Sequence, residues 1–521
     1  MGTCDPLSTP APLAPLADVL PHLSPAVADL IARGAPGPQV FRAVLEDLTT
    51  IPRLAVFEDI HWADEATLDL LRFVGRRIER TRTLLVATFR DDEVGAQHPL
   101  TRFLGDLATG TGTRRLTLPP LTPAAVAVLV RGSGLDAAAL HRRTGGNPFY
   151  VTEILASPAP GIPPTVRDAV LARVSRLSAG ARAALEIIAV IGPRAEMALV
   201  RDLAADPAGF EEGVTSGMLR AEGQILTFRH ELARQAVLDS LLAQRRAALH
   251  GAVLRALLAH GEPDAARVAD HAEAAGEVTT LAAWGAAAAR RARTLGAHRE
   301  AAAQFERVLR AAPLAPRERA TLLFEYAEEA AMLDRVPEAL RAMTEATDLW
   351  RALGDMLRTG EGLARQSVFL VSAGRNPEGE AALAAALELL EALPPGIELA
   401  RAYRMQAYLR MLNRDNDEAI VVGQTAVELA RRLEDTPTIV GAYNAMGSAL
   451  LLSGRIPEGI AQLEASLRLA REAGLEGDVA LAYVNLGSAL GEVYAFPEAD
   501  RDFAEGIVTA WSATSINHAI T

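Results

Sequence analysis

The stretch Leu54–Leu71, LAVFEDIHWADEATLDLL, decides the fold of the N-terminal part of this 521-residue chain. It begins with an apolar run, Leu54–Phe57, that has the length of a buried strand in a parallel sheet. Glu58 and Asp59 follow directly. Ligands of open α/β sheets bind at the carboxyl ends of the strands, where one carboxylate can hold the water shell of Mg²⁺ and another can orient an attacking water. A solvated acid pair is the alternative interpretation of this dipeptide.

A second apolar run, Leu84–Phe89, follows an amphipathic helical pattern over Glu65–Glu79. Asp64 is the expected N-cap of that helix because its side chain can accept a backbone hydrogen bond from the first turn. Strand, helix and strand at this spacing predict a βαβ unit, in which the two strands are parallel.

The phosphate cradle of a nucleotide site has no counterpart in the sequence. Its signature is G-x-x-x-x-G-K-[ST], and all 52 basic residues of the chain are arginines. Arg90 leaves the second strand at the same sheet edge as the acid pair, where it either reaches a γ-phosphate or pairs with Asp91 or Asp92. We therefore expect at most weak ATP hydrolysis.

The composition limits the classes of function. The net charge of −13 argues against a general nucleic-acid-binding surface. The single cysteine, Cys4, excludes a disulfide framework and a cysteine-based zinc site. The sequence has no signal-peptide pattern and no apolar run long enough for a membrane helix, which predicts a cytoplasmic protein. Neither G-x-S-x-G nor H-E-x-x-H is present, so nothing supports an independent hydrolase.

The pattern of the chain changes further on. A Gly-Gly-Asn-Pro break at residues 145–148 opens a helix, and residues 157–164, SPAPGIPP, are typical of a linker. Helical patterns followed by a short strand at Gln224–Phe228 have the order of a winged-helix module. We predict a partial α/β ATPase core with a parallel sheet over 1–115, a helical lid over 116–160, a winged-helix-like domain over 161–245, and all-α tetratricopeptide-like repeats over 246–521.

The last of these domains is predicted from a repeat. Six glutamates follow turns and open apolar helices at spacings of 38, 40, 40, 40 and 40 residues: Glu300, Glu338, Glu378, Glu418, Glu458 and Glu498. Small residues at fixed positions, such as Ala402, Ala442 and Ala482, allow neighbouring helices to approach closely. This regularity predicts a solenoid of helical hairpins. The period exceeds the roughly 34 residues of a standard tetratricopeptide unit, so we expect longer helices or loops.

Several segments resemble one family. LAVFEDIHWADEATLDLL resembles the Walker B segment of STAND-class signalling ATPases, a branch of the AAA+ superfamily, and in particular that of the large LuxR-type transcriptional regulators related to MalT. LLVATFRDDEV resembles their sensor-1 strand, TGGNPFYVTEIL their lid helix with its GNP motif, and FRHELARQAVLDSL the end of their winged-helix domain. CDPLSTPAPLAPLADVL is similar to the stretch after their P-loop helix, and the tandem hairpins are similar to their sensor arm.

The resemblance implies a nucleotide site with ATP or ADP and Mg²⁺ as cofactors. It assigns the metal and the attacking water to Glu58 and Asp59, and it places Arg90 at the sensor-1 position, so that these three residues form the catalytic set.

The same resemblance implies further nucleotide contacts. Asn147 would shape the turn that opens the lid helix, Pro148 would pack near the adenine, and His230 would sense the phosphates. From the residues alone, Pro148 is equally a plain helix start and His230 an ordinary buried histidine.

The function implied by the resemblance is an ATP-binding signal-transduction regulator of transcription, a nucleotide-gated switch. A protein or small-molecule effector binds the repeats, and ATP exchange drives self-oligomerisation. Because neither a Walker A motif nor a C-terminal helix-turn-helix is present, we expect a protein truncated at both ends that contacts DNA only through the missing domain. The alternative is a non-catalytic protein-interaction scaffold with a vestigial ATPase core, which the lack of lysine favours.

Overall fold

The computed structural model falls into two compact units. The first takes its described residues from 1–109 and 286–512, and the second from 110–285. Within these residues every helix is too short or too polar to cross a lipid bilayer. The predicted linker at 157–164 lies outside them, and the four predicted domains stay a prediction. The structure describes residues 1–4, 10–91, 93–95, 98–108, 112–133, 135–155, 166–203, 208–261, 264–492 and 494–512.

A small parallel sheet lies at the centre of the N-terminal part of the first unit. Among the described residues it consists of β1 (Gly2–Thr3), β2 (Arg53–Glu58) and β3 (Thr83–Ala87), in the order β1-β2-β3. The register sets Leu54 opposite Leu84. The predicted parallel pairing of the two apolar runs is therefore confirmed.

The helices of this part follow from local signals. Asp64 caps α4, as predicted, because its Oδ1 accepts a 2.8 Å hydrogen bond from the N–H of Thr67. The helix ends at Gly75 rather than at Glu79, since glycine is a poor helix former and a short 3₁₀ turn follows. The helices are α1 (Ala14–Val19), α2 (Pro25–Ala32), α3 (Gly37–Thr50), α4 (Glu65–Gly75) and α5 (Pro99–Ala108).

One face of the sheet is packed and the other is open. Phe57 and Leu85 join the apolar cluster beneath the sheet. Leu54, Leu84 and Val86 are 66%, 64% and 37% exposed. The prediction of strands buried on both sides is wrong for these residues. Side chains alternate across a strand, so a run that is apolar at every position needs a layer on each face, and here the second face meets solvent.

The second unit combines helices with a small antiparallel sheet. Its core is built around the fully buried Leu185, Ile188, Val200 and Leu226. The elements are α6 (Pro123–Leu129), α7 (Ala137–Thr144), α8 (Pro148–Leu155), α9 (Val166–Val174), α10 (Ala179–Ile191), β4 (Ala195–Glu196), α11 (Met197–Leu203), α12 (Ala208–Thr215), β5 (Leu219–Glu222), β6 (Ile225–Phe228), α13 (Glu231–Ser240), α14 (Ala243–Ala259) and α15 (Ala265–Ala275).

The order of these strands bears on the winged-helix prediction. The sheet has the order β4-β6-β5, with both pairs antiparallel. The predicted strand at Gln224–Phe228 is the second strand of a hairpin. Its partner, Leu219–Glu222, was not predicted because Leu-Arg-Ala-Glu contains none of the β-branched or aromatic residues that favour strands. The assignment to a winged-helix module stays a prediction.

Antiparallel helical hairpins form the rest of the first unit, and the array is tetratricopeptide-like. Each glutamate of the 40-residue series lies in the first turn of a helix. Most of the helices have 17 residues, which explains the long period. They are α16 (Val278–Thr294), of which residues 286–294 belong to the first unit, α17 (His298–Ala311), α18 (Pro316–Met332), α19 (Val336–Ala352), α20 (Met356–Ser372), α21 (Asn376–Glu391), α22 (Ile397–Leu412), α23 (Asn416–Arg432), α24 (Thr436–Leu452), α25 (Ile456–Glu472), α26 (Glu476–Glu492) and α27 (Phe496–Ser512).

Small residues set the spacing of these helices, as predicted. The alanines at 402, 442 and 482 have no exposed surface. A Cβ atom on Gly447 would lie 2.8 Å from Cγ of Leu463, so only glycine permits this approach of α24 to α25.

Candidate functional site

The predicted acid pair lies at the carboxyl end of β2, the middle strand of the parallel sheet. Glu58 is the last residue of the strand. Asp59 has a φ of 56°, in the left-handed region that residues other than glycine seldom adopt. Its N–H donates a 3.1 Å hydrogen bond to Oγ1 of Thr88, which fixes the bend. Strained backbone at a strand end is typical of functional sites.

A buried histidine lies between the two strand ends. Nδ1 of His61 is 3.9 Å from Oδ1 of Asp59, and Nε2 is 3.4 Å from Oε2 of Glu93. Burial lowers the pKa of His61, although the two carboxylates oppose the shift. Glu93 also pairs with Arg90 at 2.7 Å, and the Arg90 guanidinium lies 5.3 Å from the centre of the Trp62 ring. The structure thus brings the acid pair close to these polar groups.

Arg90 is held by a partner that the sequence did not suggest. Its ion pair is with Glu93 rather than with Asp91, while Asp92 lies outside the described residues. β3 ends at Ala87, so Arg90 belongs to the turn after the strand and its guanidinium folds back onto Glu93. Its role at a γ-phosphate stays a prediction.

The acid pair fits the donor chemistry of a hydrated magnesium ion. The Glu58 side chain forms no hydrogen bond or ion pair with any described residue, and the Asp59 carboxylate is about one-third exposed. In the described part of the chain no group of three or more His, Cys, Asp or Glu side chains is placed to hold a metal. Magnesium retains several water ligands, so two carboxylates suffice. The metal and catalytic roles of Glu58 and Asp59 stay predictions.

The Gly-Gly-Asn-Pro turn has a local structural role in the second unit. Oδ1 of Asn147 accepts a 3.1 Å hydrogen bond from the N–H of Tyr150, and Pro148 is the first residue of α8. Gly146 has a φ of 75°, and a Cβ atom there would collide with the carbonyl oxygen of Leu121. Both Asn147 and Pro148 are exposed. The plain helix start is thus observed, and the adenine contact stays a prediction.

His230 lies beside the start of α8, also within the second unit. It immediately precedes α13, and its ring centre is 4.4 Å from that of Phe149, the neighbour of Pro148. Burial lowers the pKa of His230, while the charge of Glu153 opposes this. His230 is thus a partly buried histidine that packs against Phe149. Its phosphate-sensing role stays a prediction.

Sequence reasoning missed a contact between the N-termini of α4 and α17. The N–H of Glu65 donates a 2.9 Å hydrogen bond to Oε1 of Glu300, and the N–H of Arg299 donates one of 3.0 Å to Oε2 of Glu65. The Arg299 side chain also donates to Glu65 at 3.0 Å. Each helix start is thus satisfied by a glutamate of the other helix. We call this pair of contacts the cap exchange.

Burial gives the carboxyl groups around the cap exchange unusual pKa values. It raises the pKa of Asp64 to about 6. Burial, and then the charges of Asp64 and Glu65, raise the pKa of Glu300 to about 8. Oε2 of Glu300 is shielded from solvent without a hydrogen-bond partner among the described residues. Neutral Glu300 is therefore favoured at pH 7, since three ionised carboxylates at this site would repel one another.

We expect the Asp64→Ala variant to lose about 2 kcal/mol of unfolding free energy, because it removes an N-cap and leaves buried N–H groups unsatisfied. Asp64 accepts from the N–H groups of Thr67 and of Leu13, the latter at 3.1 Å. Asp64→Asn keeps an acceptor at this point and should cost less than half as much. Urea titration followed by circular dichroism tests this, and equal losses in the two variants would contradict it.

No protein-family model matches the sequence, and comparison with curated proteins gives no match. Among solved structures, the chain is similar to a Signal Transduction ATPase with Numerous Domains (STAND) protein with a tetratricopeptide repeat sensor from Pyrococcus horikoshii, with 14% identity over 94% of this chain and 73% of that one, and a TM-score of 0.42. It is also similar to a Rap protein complexed with competence and sporulation factor (13% identity, 53% and 74% coverage, TM-score 0.39). It is similar as well to aspartyl phosphate phosphatase F from Bacillus subtilis, with 10% identity over 56% of this chain and 82% of that one, and a TM-score of 0.36. These likenesses concern the fold alone.

Proposed function

We propose that this chain is an ATP-binding signal-transduction regulator of the LuxR/MalT-like type, a nucleotide-gated switch with a tetratricopeptide-like sensor array. The cap exchange is the observation that carries the proposal. Helix α4 begins shortly after the acid pair, and α17 leads into the hairpin array. Because each helix start is capped by the other helix, separation of the two leaves backbone N–H groups unsatisfied on both. Such a reciprocal contact can transmit a change from the array to the core.

In this proposal Glu58 and Asp59 hold hydrated Mg²⁺, and one of them orients an attacking water. When bound, Mg²⁺ neutralises charge on the phosphate oxygens. Arg90 exchanges its ion pair with Glu93 for a γ-phosphate oxygen. A protein or small-molecule effector binds the array. In the same proposal the protein self-oligomerises, is cytoplasmic and controls transcription.

Asn147, Pro148 and His230 complete the nucleotide contacts in this proposal. Asn147 sets the direction of the turn, Pro148 packs near the adenine, and His230 reports on the phosphates. Their support is the ring contact between Phe149 and His230, which places the histidine beside the start of α8.

Equilibrium dialysis with ATP and Mg²⁺ tests the proposal. We expect the parent chain to bind ATP, and the double change Glu58→Ala with Asp59→Ala to weaken binding at least tenfold because the metal loses both carboxylates. Removal of Mg²⁺ with EDTA should have a similar effect. Asp417→Ala with Glu418→Ala is the matched control, since it removes the same charge from an exposed acidic pair on α23.

The second candidate function is a non-catalytic interaction scaffold with a vestigial core. It is favoured by the absence of lysine from the sequence, since the phosphates then lose the usual lysine contact. The scaffold predicts that the parent chain binds no ATP. ATP binding that is undetectable, or unchanged by the acid-pair double change, would rule out the switch in favour of the scaffold.

A further inference from the structure

The first helices of neighbouring hairpins share a face of the array that carries three arginines. Along this face α20 contacts α22, α22 contacts α24, and α24 contacts α26. Arg365 donates to Glu328, with a distance of 2.7 Å from Nε, and Nε of Arg401 lies 3.6 Å from Asp435. Arg404 differs from both, because within the described part of the chain its side chain has no hydrogen bond or ion pair.

The guanidinium of Arg404 lies over a glycine on the next helix of this face. A Cβ atom on Gly441 would be 2.6 Å from Cδ of Arg404 and 2.8 Å from its Nη1. The residues at the same position of the repeat are Glu361, Arg401 and Leu481, all of them large. Gly441 therefore provides a space that the other hairpins fill with a side chain.

Arg404 is partly buried, and its charge is affected by several neighbouring charged groups. Burial, followed by the positive charge of Arg365, lowers its pKa, while Asp478 and then Asp435 oppose the shift. A bidentate anion would give this guanidinium the charge-assisted hydrogen bonds that no described side chain provides. The absence of an internal partner thus leaves the hydrogen-bonding capacity of Arg404 available to a ligand.

A second hydrogen-bond donor, the side chain of Tyr408, lies one helical turn further along α22. Tyr408 is partly buried, and its hydroxyl forms no hydrogen bond with any described residue. Burial raises the pKa of Tyr408, and the positive charge of Arg404 acts against this, as expected for two groups that lie close together. Residues four apart on a helix share a face, so a single ligand group can meet both donors.

We propose that Arg404 and Tyr408, above Gly441, bind a carboxylate group of the effector, an inference that rests on the proposed sensor function of the array. The planar guanidinium matches the two oxygens of a carboxylate, and the phenol supplies a third donor. Asp435 and Asp478 lie near enough to act on Arg404, so they disfavour a doubly charged phosphate more strongly than a singly charged carboxylate.

Isothermal titration calorimetry at constant ionic strength tests this site with three probes. They are acetate, N-acetyl-tetra-alanine with a free carboxylate, and the same peptide as its terminal amide. We expect binding of the free-carboxylate peptide, of acetate, or of both, and none of the amide. Binding of acetate shows that a free small carboxylate suffices, whereas binding of the peptide alone assigns the site to a peptide terminus.

Variants of the full chain identify the donor. Arg404→Gln should weaken carboxylate binding at least tenfold, and Gly441→Ala should weaken it because the added methyl group displaces the guanidinium. Gly441→Ala also raises helix propensity, so it retains the fold. The matched control is Arg410→Gln on the same helix, whose guanidinium is already paired with Glu418 at 3.3 Å. No binding of either carboxylate probe, or equal binding by the parent and Arg404→Gln, would overturn the inference.

ATP dialysis of the same proteins separates this inference from the proposed function. Carboxylate binding that is insensitive to Arg404→Gln, in a chain that binds ATP, overturns the inference alone. Carboxylate binding that depends on Arg404, in a chain that binds no ATP, overturns the switch and keeps the carboxylate site. Binding of both ligands, with only the carboxylate lost in Arg404→Gln, supports both.

Discussion

The Glu300→Gln variant is expected to lose much less stability than the parent chain when the pH rises from 6 to 8. The reason is the buried position of Glu300 beside Asp64 and Glu65, which raises its pKa to about 8. In the unfolded chain the pKa of a glutamate is about 4.3. At pH values between about 4.3 and about 8, the Glu300 side chain keeps its proton in the folded protein but has released it in the unfolded chain.

The sign of the effect follows from that proton. Unfolding releases it, so the free energy of unfolding decreases as the pH rises, by up to about 1.4 kcal/mol per pH unit, until the folded group also ionises near pH 8. Glutamine keeps an acceptor for the N–H of Glu65 but has no proton to lose. The raised pKa of His298, which burial opposes and Glu329 causes, gives a slope of the same sign that remains in the variant. The readout is therefore the difference between the two slopes.

Urea titrations at a series of pH values, with hydrogen exchange at the starts of α4 and α17, measure this difference. Glu338→Gln is the matched control, since Glu338 occupies the corresponding position of the next repeat but its side chain is 40% exposed. It should leave the slope unchanged. Parallel curves for the parent chain and Glu300→Gln would contradict the buried, protonated state of Glu300.

The Trp350→Ala variant is expected to lose about 3–5 kcal/mol of unfolding free energy, the usual cost of deleting a buried aromatic side chain and leaving a cavity. Trp350 lies in α19, is 2% exposed, and contacts Phe324 of α18 with 5.5 Å between ring centres. It therefore joins the two helices of one hairpin. Because each hairpin of a solenoid depends on its neighbours, the loss should begin locally and weaken the sensor array.

Urea titration followed by circular dichroism measures this loss. Leu353→Ala is the control, because Leu353 is 41% exposed just after the same helix and should change stability by no more than about 0.5 kcal/mol. Trp350→Phe refills part of the cavity and should cost less than Trp350→Ala. A loss below about 1 kcal/mol for Trp350→Ala would show that the hairpin does not depend on this side chain.

Much of the architecture could be predicted because it depends on residues that are close in sequence. The parallel pairing of β2 and β3 followed from the strand–helix–strand spacing, and Asp64 was found as an N-cap from its place before an amphipathic helix. The starts of the repeat helices followed from the recurring glutamates. In each case periodicity and capping are local properties that persist in the folded chain.

The environment of the candidate site could not be predicted in the same way. Arg90 pairs with Glu93, and His61 lies between Asp59 and Glu93, because the turn after β3 folds back towards the end of β2. The path of such a turn depends on packing rather than on spacing. The same limit explains the open face of the sheet, since an apolar run does not state whether a second layer covers it.

By itself, the sequence determined the helical repeat, the parallel strand pair and the positions at which the helices begin. Only the tertiary structure decided which of several similar residues gained a distinct partner or a shifted pKa. Glu300 and Glu338 open comparable helices, yet only Glu300 caps α4, where burial raises its pKa. Arg365 and Arg404 lie on the same face, yet among the described residues only Arg365 pairs with a carboxylate. The physical reason is that desolvation and charge pairing depend on neighbours distant in sequence, whereas helix periodicity and capping depend on residues a few positions apart.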